Sequence, residues 1–322
     1  MNKGWLCAGS LVACAMALTA CGSEADSGEQ TSATVSEGNP NGEQTISYLG
    51  EEYVLPEQID RIVVTGAMEV MEDALVLDVE PVGAMTIGGA FPEMFAPITS
   101  NTEAIGEKTE PDLEKILSLD PDVILASTKF PPETVEELEK IAPTVKVSHI
   151  ATDWEDNLRF LAELSDEEDA AEEAIRLYHD ELESAKADIA DNLEDKTILA
   201  LRVRNDNLYI YPESIFLNPV LYEDFGIAAP EVTQAASAQE LISTEQLAEI
   251  NPDYLFIQDA AEENSGTETE MVERLKADPT LQNVPALSEE QTYVNIIDPL
   301  LEGGPSWSRM AFLDEAKTLF AD

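Results

Sequence analysis

The sequence predicts an α/β protein of two Rossmann-like lobes with mainly parallel sheets, joined by one long α-helix. Three observations carry this. Short apolar strand-like runs alternate with helical segments in both halves of the chain, as expected for strands buried on both faces of parallel sheets. Between the halves runs a charged helical segment of about 28 residues with no Gly or Pro. A short motif recurs once in each half, which indicates two units of similar build.

Residues 1–20 read as a signal segment. Lys3 supplies the positive end, and Leu6 to Leu18 form an apolar and small-residue run too short to remain as a membrane span. The run ends in Leu18-Thr19-Ala20-Cys21, followed by Gly22-Ser23. This resembles the bacterial lipobox, which implies a lipid on Cys21 and a chain anchored at the extracellular face of the cell membrane. An ordinary signal peptide cut nearby is the alternative. Cys7 and Cys14 lie in the removed segment, so the mature chain keeps no disulfide and no thiol for catalysis. Residues 21–42 are rich in Ser, Thr, Glu, Gly and Asn and read as a disordered tether.

The first lobe is expected over 43–165. Arg61 to Thr65 is a buried strand, Glu69 to Leu77 a helix, and Pro81 to Met85 the next strand. Asp112 to Leu119 is a short helix leading to the strand Asp122 to Ala126, then a helix Glu133 to Ile141 and a strand Val145 to Ser148. The linking helix is expected over 166–194. Ala171, Ile175, Tyr178, Leu182, Ala185 and Ile189 recur at steps of four and three, one apolar stripe on a helix roughly 40 Å long. The second lobe is expected over 195–322. Its strands are Thr197 to Arg204 with a hairpin partner Leu208 to Tyr211, Asp253 to Ile257 and Thr292 to Ile296. Asn218 to Phe225 and Ser308 to Phe320 are helical.

The repeat reads Asp112-Leu113-Glu114-Lys115-Ile116-Leu117-Ser118-Leu119-Asp120-Pro121-Asp122 in one half and Ser243-Thr244-Glu245-Gln246-Leu247-Ala248-Glu249-Ile250-Asn251-Pro252-Asp253 in the other. Asp or Ser caps each short helix, Glu suits its positive end, and Pro stops it before a strand. Two lobes, a lone linking helix and this element in each lobe resemble the class III substrate-binding proteins of ABC importers. Met71 to Gly83 looks like the family's first helix and the turn after it, Leu201 to Tyr211 followed by Pro219 to Gly226 like its iron-hydroxamate branch, and Gly303 to Arg309 like the entry to its C-terminal helix. The resemblance implies a monomer that delivers a ferric siderophore, of hydroxamate or citrate-hydroxamate type, to a permease dimer without cofactor or catalysis. It also implies that Glu114 and Glu245 dock on the two permease subunits; favouring their own helix ends is the plainer role for both.

Charge narrows the ligand site. Formal charge is −49, from 66 acidic and 17 basic residues, which excludes general nucleic-acid binding and leaves an anionic ligand only where bases are gathered. Arg202 and Arg204 finish an apolar strand and share one face. They are candidates for the acidic oxygens of a ligand, with surface pairing to acids such as Asp206 as the alternative. Tyr209 and Tyr211 stand beside them, Trp307 and Arg309 follow a Gly-Gly-Pro-Ser segment, and Lys129, Met68 and Phe91 sit on first-lobe loops. These complete the ligand candidates.

Other functions fit less well. His149 and His179 lack partners at ligand spacing, so the protein itself is not expected to hold a metal ion. No Gly-x-Ser-x-Gly elbow or phosphate loop occurs, which leaves a secreted acidic hydrolase as the weaker reading. Haem and cobalamin remain alternative ligands within the same importer class. A single stiff link predicts small lobe movements.

Overall fold

The computed structural model describes residues 42–193, 195–259 and 268–320. The expected signal segment, Cys21 and all of the tether but Gly42 lie outside the described residues.

An unforeseen hairpin opens the fold. Strands β1 (Glu43–Tyr48) and β2 (Glu51–Pro56) pair antiparallel across Leu49 and Gly50, both at positive φ, the geometry that matches strand twist in a two-residue turn. Then follow β3 (Ile62–Thr65), α1 (Met68–Leu77), β4 (Gly83–Thr86), β5 (Glu103–Glu107), β6 (Glu110–Pro111), α2 (Leu113–Ser118), β7 (Val123–Ser127), α3 (Pro132–Leu138) and β8 (Thr144–Val147). The sheet order is β6-β5-β4-β3-β7-β8. All its pairs are parallel except β5 with β6.

A helix not expected from the sequence, α4 (Trp154–Ser165), closes the first half, and α5 (Glu168–Leu193) links it to the second. The long helix begins later than its periodicity predicts, because Asp166 adopts a left-handed conformation and closes α4. All six residues of the predicted stripe are buried. At about 1.5–3 kcal/mol for each large side chain buried, that stripe rather than helix propensity holds α5 in place.

The second sheet is built from β9 (Ile198–Arg204), β10 (Asn207–Ile210), β11 (Glu240–Ile242), β12 (Tyr254–Asp259) and β13 (Thr292–Val294) in the order β11-β10-β9-β12-β13. Here β12 pairs parallel with β9 and β13, while β10 and β11 are antiparallel. Helices α6 (Glu231–Ala235), α7 (Thr244–Ile250), α8 (Glu268–Ala277), α9 (Pro285–Ser288) and α10 (Ser306–Leu319) accompany it. The predicted helix over 218–225 is observed as helical residues Asn218 and Pro219 running into a π-helical turn, Val220–Asp224.

Alternation along the strands divides the core. Val64 and Ala200 face a cluster shared by α1, α4, α5 and α10, whereas Val63, Leu199 and Leu201 face clusters on the outer sides of their sheets. The inner cluster therefore continues from one lobe into the other. Arg202 and Arg204 lie on the same face of β9 as Ile198 and Ala200, at the end where apolar packing stops.

Candidate functional site

Loops beyond the carboxyl ends of parallel strands are where α/β sheets receive ligands. In the first lobe, Lys108 follows β5, its backbone N–H held by the Thr86 carbonyl at 3.0 Å. Lys129 follows β7 and His149 follows β8. In the second, Arg202 and Arg204 end β9, and the segment after β13 carries Glu302. Tyr209 stands opposite Arg202 in the antiparallel register, so the two share a face. Tyr211 lies two residues further along; its hydroxyl donates to Gln239 Oε1 at 3.0 Å, and Arg204 Nη1 donates to the same oxygen at 3.1 Å.

Ion pairs join the two lobes here. Lys129 Nζ lies 3.1 Å from Glu69 and 3.1 Å from Glu302, and Lys108 pairs with the other oxygen of Glu302. Burial alone would raise the Glu302 carboxyl, but Lys108 and Lys129, helped by Arg202, hold it well below the usual carboxylate range. Glu69 is raised, because burial outweighs the attraction of Lys129. Burial, and next the Lys129 charge, lower His149, whose Nδ1 lies 2.7 Å from Thr128 Oγ1. Lys108 was not among the sequence candidates.

Below this cluster the lobes meet in a closed seam. Glu72 and Asp73 of α1 are buried, although acids at this spacing suggest a solvated face. Helix α10 has Pro305 at its N-cap and no side-chain cap of its own. Glu72 supplies one from the other lobe, accepting from the Ser308 N–H at 3.0 Å and from the Ser308 hydroxyl. Asp73 accepts from the Ser306 hydroxyl at 2.6 Å. Burial pushes both carboxyl groups up to about 8, against these hydrogen bonds. Gly304 is required by contact, since a Cβ there would stand 2.1 Å from that of Ala151.

Four ligand candidates lie in or against this packing. Arg309 is 1 % exposed and cannot reach a ligand. It pairs with Asp224, donates to the Ala151 carbonyl at 2.8 Å and to that of Gly304 at 3.2 Å, and lies 5.0 Å from the centre of the Trp154 ring. The Gly-Gly-Pro-Ser segment before it is packed seam rather than flexible loop. Met68 is buried in the shared core, and Trp307 and Phe91 are half-buried against it.

The repeat residues occupy matching places. Glu114 and Glu245 are each the second residue of their helices, and both are exposed. Asp112 and Ser243 cap those helices through Lys115 N and Gln246 N. His179 lies on α5 with Nε2 2.8 Å from Glu155. Asp206, weighed as a partner for the arginines, lies 3.5 Å from Arg274. Among the described residues no helix is long and apolar enough to cross a membrane, and no three metal-ligating side chains converge.

Comparison with known proteins gives three findings. A family model described as "Periplasmic binding protein" matches residues 63–295. The iron-uptake system-binding protein of Bacillus subtilis is 41 % identical over 302 residues, 94 % of each chain, and the iron(3+)-hydroxamate-binding protein FhuD of the same organism is 27 % identical over 74 % of this chain and 75 % of its own. The crystal structure of the triscatecholate siderophore binding protein FeuA from Bacillus subtilis, complexed with ferri-bacillibactin, superposes with a TM-score of 0.81 at 42 % identity, covering 86 % of this chain and 98 % of that one.

Proposed function

The chain belongs to the periplasmic binding protein family, and on that premise we propose that it captures a ferric siderophore of triscatecholate type for an iron-uptake ABC importer. Its family and relatives are binding proteins rather than enzymes. One observation carries the choice of ligand: Lys108, Lys129, Arg202 and Arg204 gather at the strand ends of two lobes in a chain with only 17 basic residues. Three catecholate dianions around one ferric ion make a trianion, which such a cluster complements. A ferric trihydroxamate has little or no net charge and would leave these cations unused. The hydroxamate or citrate-hydroxamate preference read from the sequence therefore gives way, in this proposal, to a catecholate. The siderophore supplies every iron ligand, so the protein needs none.

The remaining parts of the reading follow from it. Residues 43–165 and 195–322 act as the two lobes and 166–194 as their link. Glu114 and Glu245 face the permease dimer, lipid on Cys21 keeps a monomer at the extracellular face of the cell membrane, and Arg202, Arg204, Tyr209 and Tyr211 line the second-lobe wall.

Titrating the tryptophan fluorescence of the purified chain with ferric triscatecholate, ferric trihydroxamate, ferric citrate, haem and cobalamin tests the proposal. Saturable quenching by the triscatecholate, weakened on the order of tenfold or more by Lys129→Ala, is expected. Quenching by haem or cobalamin alone would keep the family and reject the ligand.

A further inference from the structure

Glu302 occupies both cleft lysines from the opposite lobe, one oxygen to each. Its backbone is held on both sides of the cleft. Buried Gln258 donates to the Leu301 carbonyl at 2.8 Å, and the Glu302 N–H donates to Glu72 at 3.1 Å. The side chain is 18 % exposed, so only its rotatable bonds are left to move the carboxylate. An acid is thus presented by a fixed segment at the position where ligand oxygens would be received.

We propose that Glu302 is a tethered counter-ion, a specificity residue that competes for Lys108 and Lys129 and yields only to a ligand offering several acidic oxygens at once. This rests on the reading of the cleft as an anionic-ligand site. Tethering gives the carboxylate an effective concentration of millimolar order or above, so phosphate, sulfate or simple carboxylates in solution do not dislodge it. A larger polyanion reaches Lys108, Lys129 and Arg202 together, more cations than one carboxylate can satisfy. Its apparent affinity equals the intrinsic one reduced by the fraction of chains in which the lysines are released. Glu302 thereby trades affinity for rejection of small anions, and it neutralises cations that would otherwise repel one another.

The test compares the full chain with Glu302→Gln, titrated with a ferric triscatecholate in chloride and in phosphate at matched ionic strength. The glutamine variant is expected to bind about tenfold tighter or more and to lose that gain in phosphate, while the wild-type affinity is the same in both salts. Glu302→Ser, which removes the carboxylate by another route, is to show the same pattern and serves if the glutamine variant misfolds. Equal or weaker binding by a folded variant would mean that Glu302 positions the lysines instead, and overturns the proposal. No binding by the wild-type chain would overturn the cleft reading with it.

Discussion

Replacing Arg309 by methionine separates a seam residue from a ligand contact. The guanidinium is buried, paired with Asp224, and donates to the Ala151 carbonyl of the first lobe and to the Gly304 carbonyl just before its own helix. Methionine keeps much of the volume but removes every donor. Breaking one partner of a buried pair costs about 3–5 kcal/mol, and the contact with Trp154 adds roughly 0.5–2 kcal/mol. Asp224 retains the hydrogen bond from the Tyr178 hydroxyl at 2.6 Å, which places the net loss near the lower end, about 4 kcal/mol. For a chain of this size that is a fall of about 8 °C or more in Tm, read by far-UV circular dichroism. Adding Asp224→Asn should recover part of the loss, because the orphaned carboxylate is then gone. A variant that melts within about 2 °C of wild type yet no longer binds the ferric complex would refute this and restore Arg309 to the ligand site.

Two further outcomes are expected. Glu114→Ala combined with Glu245→Ala should lower cellular uptake of the ferric siderophore by on the order of tenfold or more, with binding by the purified chain unchanged; normal uptake would remove both residues from docking. Glu72 and Asp73 stay protonated in the folded chain up to about 8, whereas in the unfolded chain they ionise near pH 4. Between those limits the folded state binds more protons, so their contribution falls as pH rises and levels off above about 8. Urea titrations of Glu72→Gln with Asp73→Asn should therefore show the variant gaining on wild type by about 1 kcal/mol or more per pH unit across that window, and a pH-independent difference would contradict the burial argument.

How much of this was legible in the sequence depended on whether a signal was local. The stripe from Ala171 to Ile189 and the alternation in β9 are periodicities, and both survive folding because each residue's face follows from its neighbours. The capped repeat placed Glu114 and Glu245 in equivalent turns for the same reason. Lys108 went unread because a lysine between Glu107 and Thr109 looks like any solvated charge; only the approach of Glu302 singles it out. The burial of Glu69, Glu72 and Asp73 also went unread. Their spacing describes an exposed acidic face, and they are buried because Ser306 and Ser308 arrive from the far end of the chain with a helix terminus lacking a cap. Trp154, Leu158, Leu161 and Leu164 carry helical spacing, yet α4 went unread, and the breaker after them is Asp166 in a left-handed conformation rather than Gly or Pro, so the boundary leaves no trace in composition.

An anionic ligand and a chain of formal charge −49 are compatible for a reason of scale. At an ionic strength near 0.15 M, exposed charges are screened beyond about 8 Å, so the acidic surface acts weakly on a ligand that is not in contact with it. Inside the cleft the distances are those of contact, and partly buried charges are screened far less. Lys108 and Lys129 there outweigh burial sufficiently to hold Glu302 ionised. The net charge governs solubility and the approach of other molecules, while a few cations at the strand ends govern what is retained. Lowering the salt should reverse the balance, since a longer screening length lets the surface carboxylates oppose the incoming anion before the lysines can attract it.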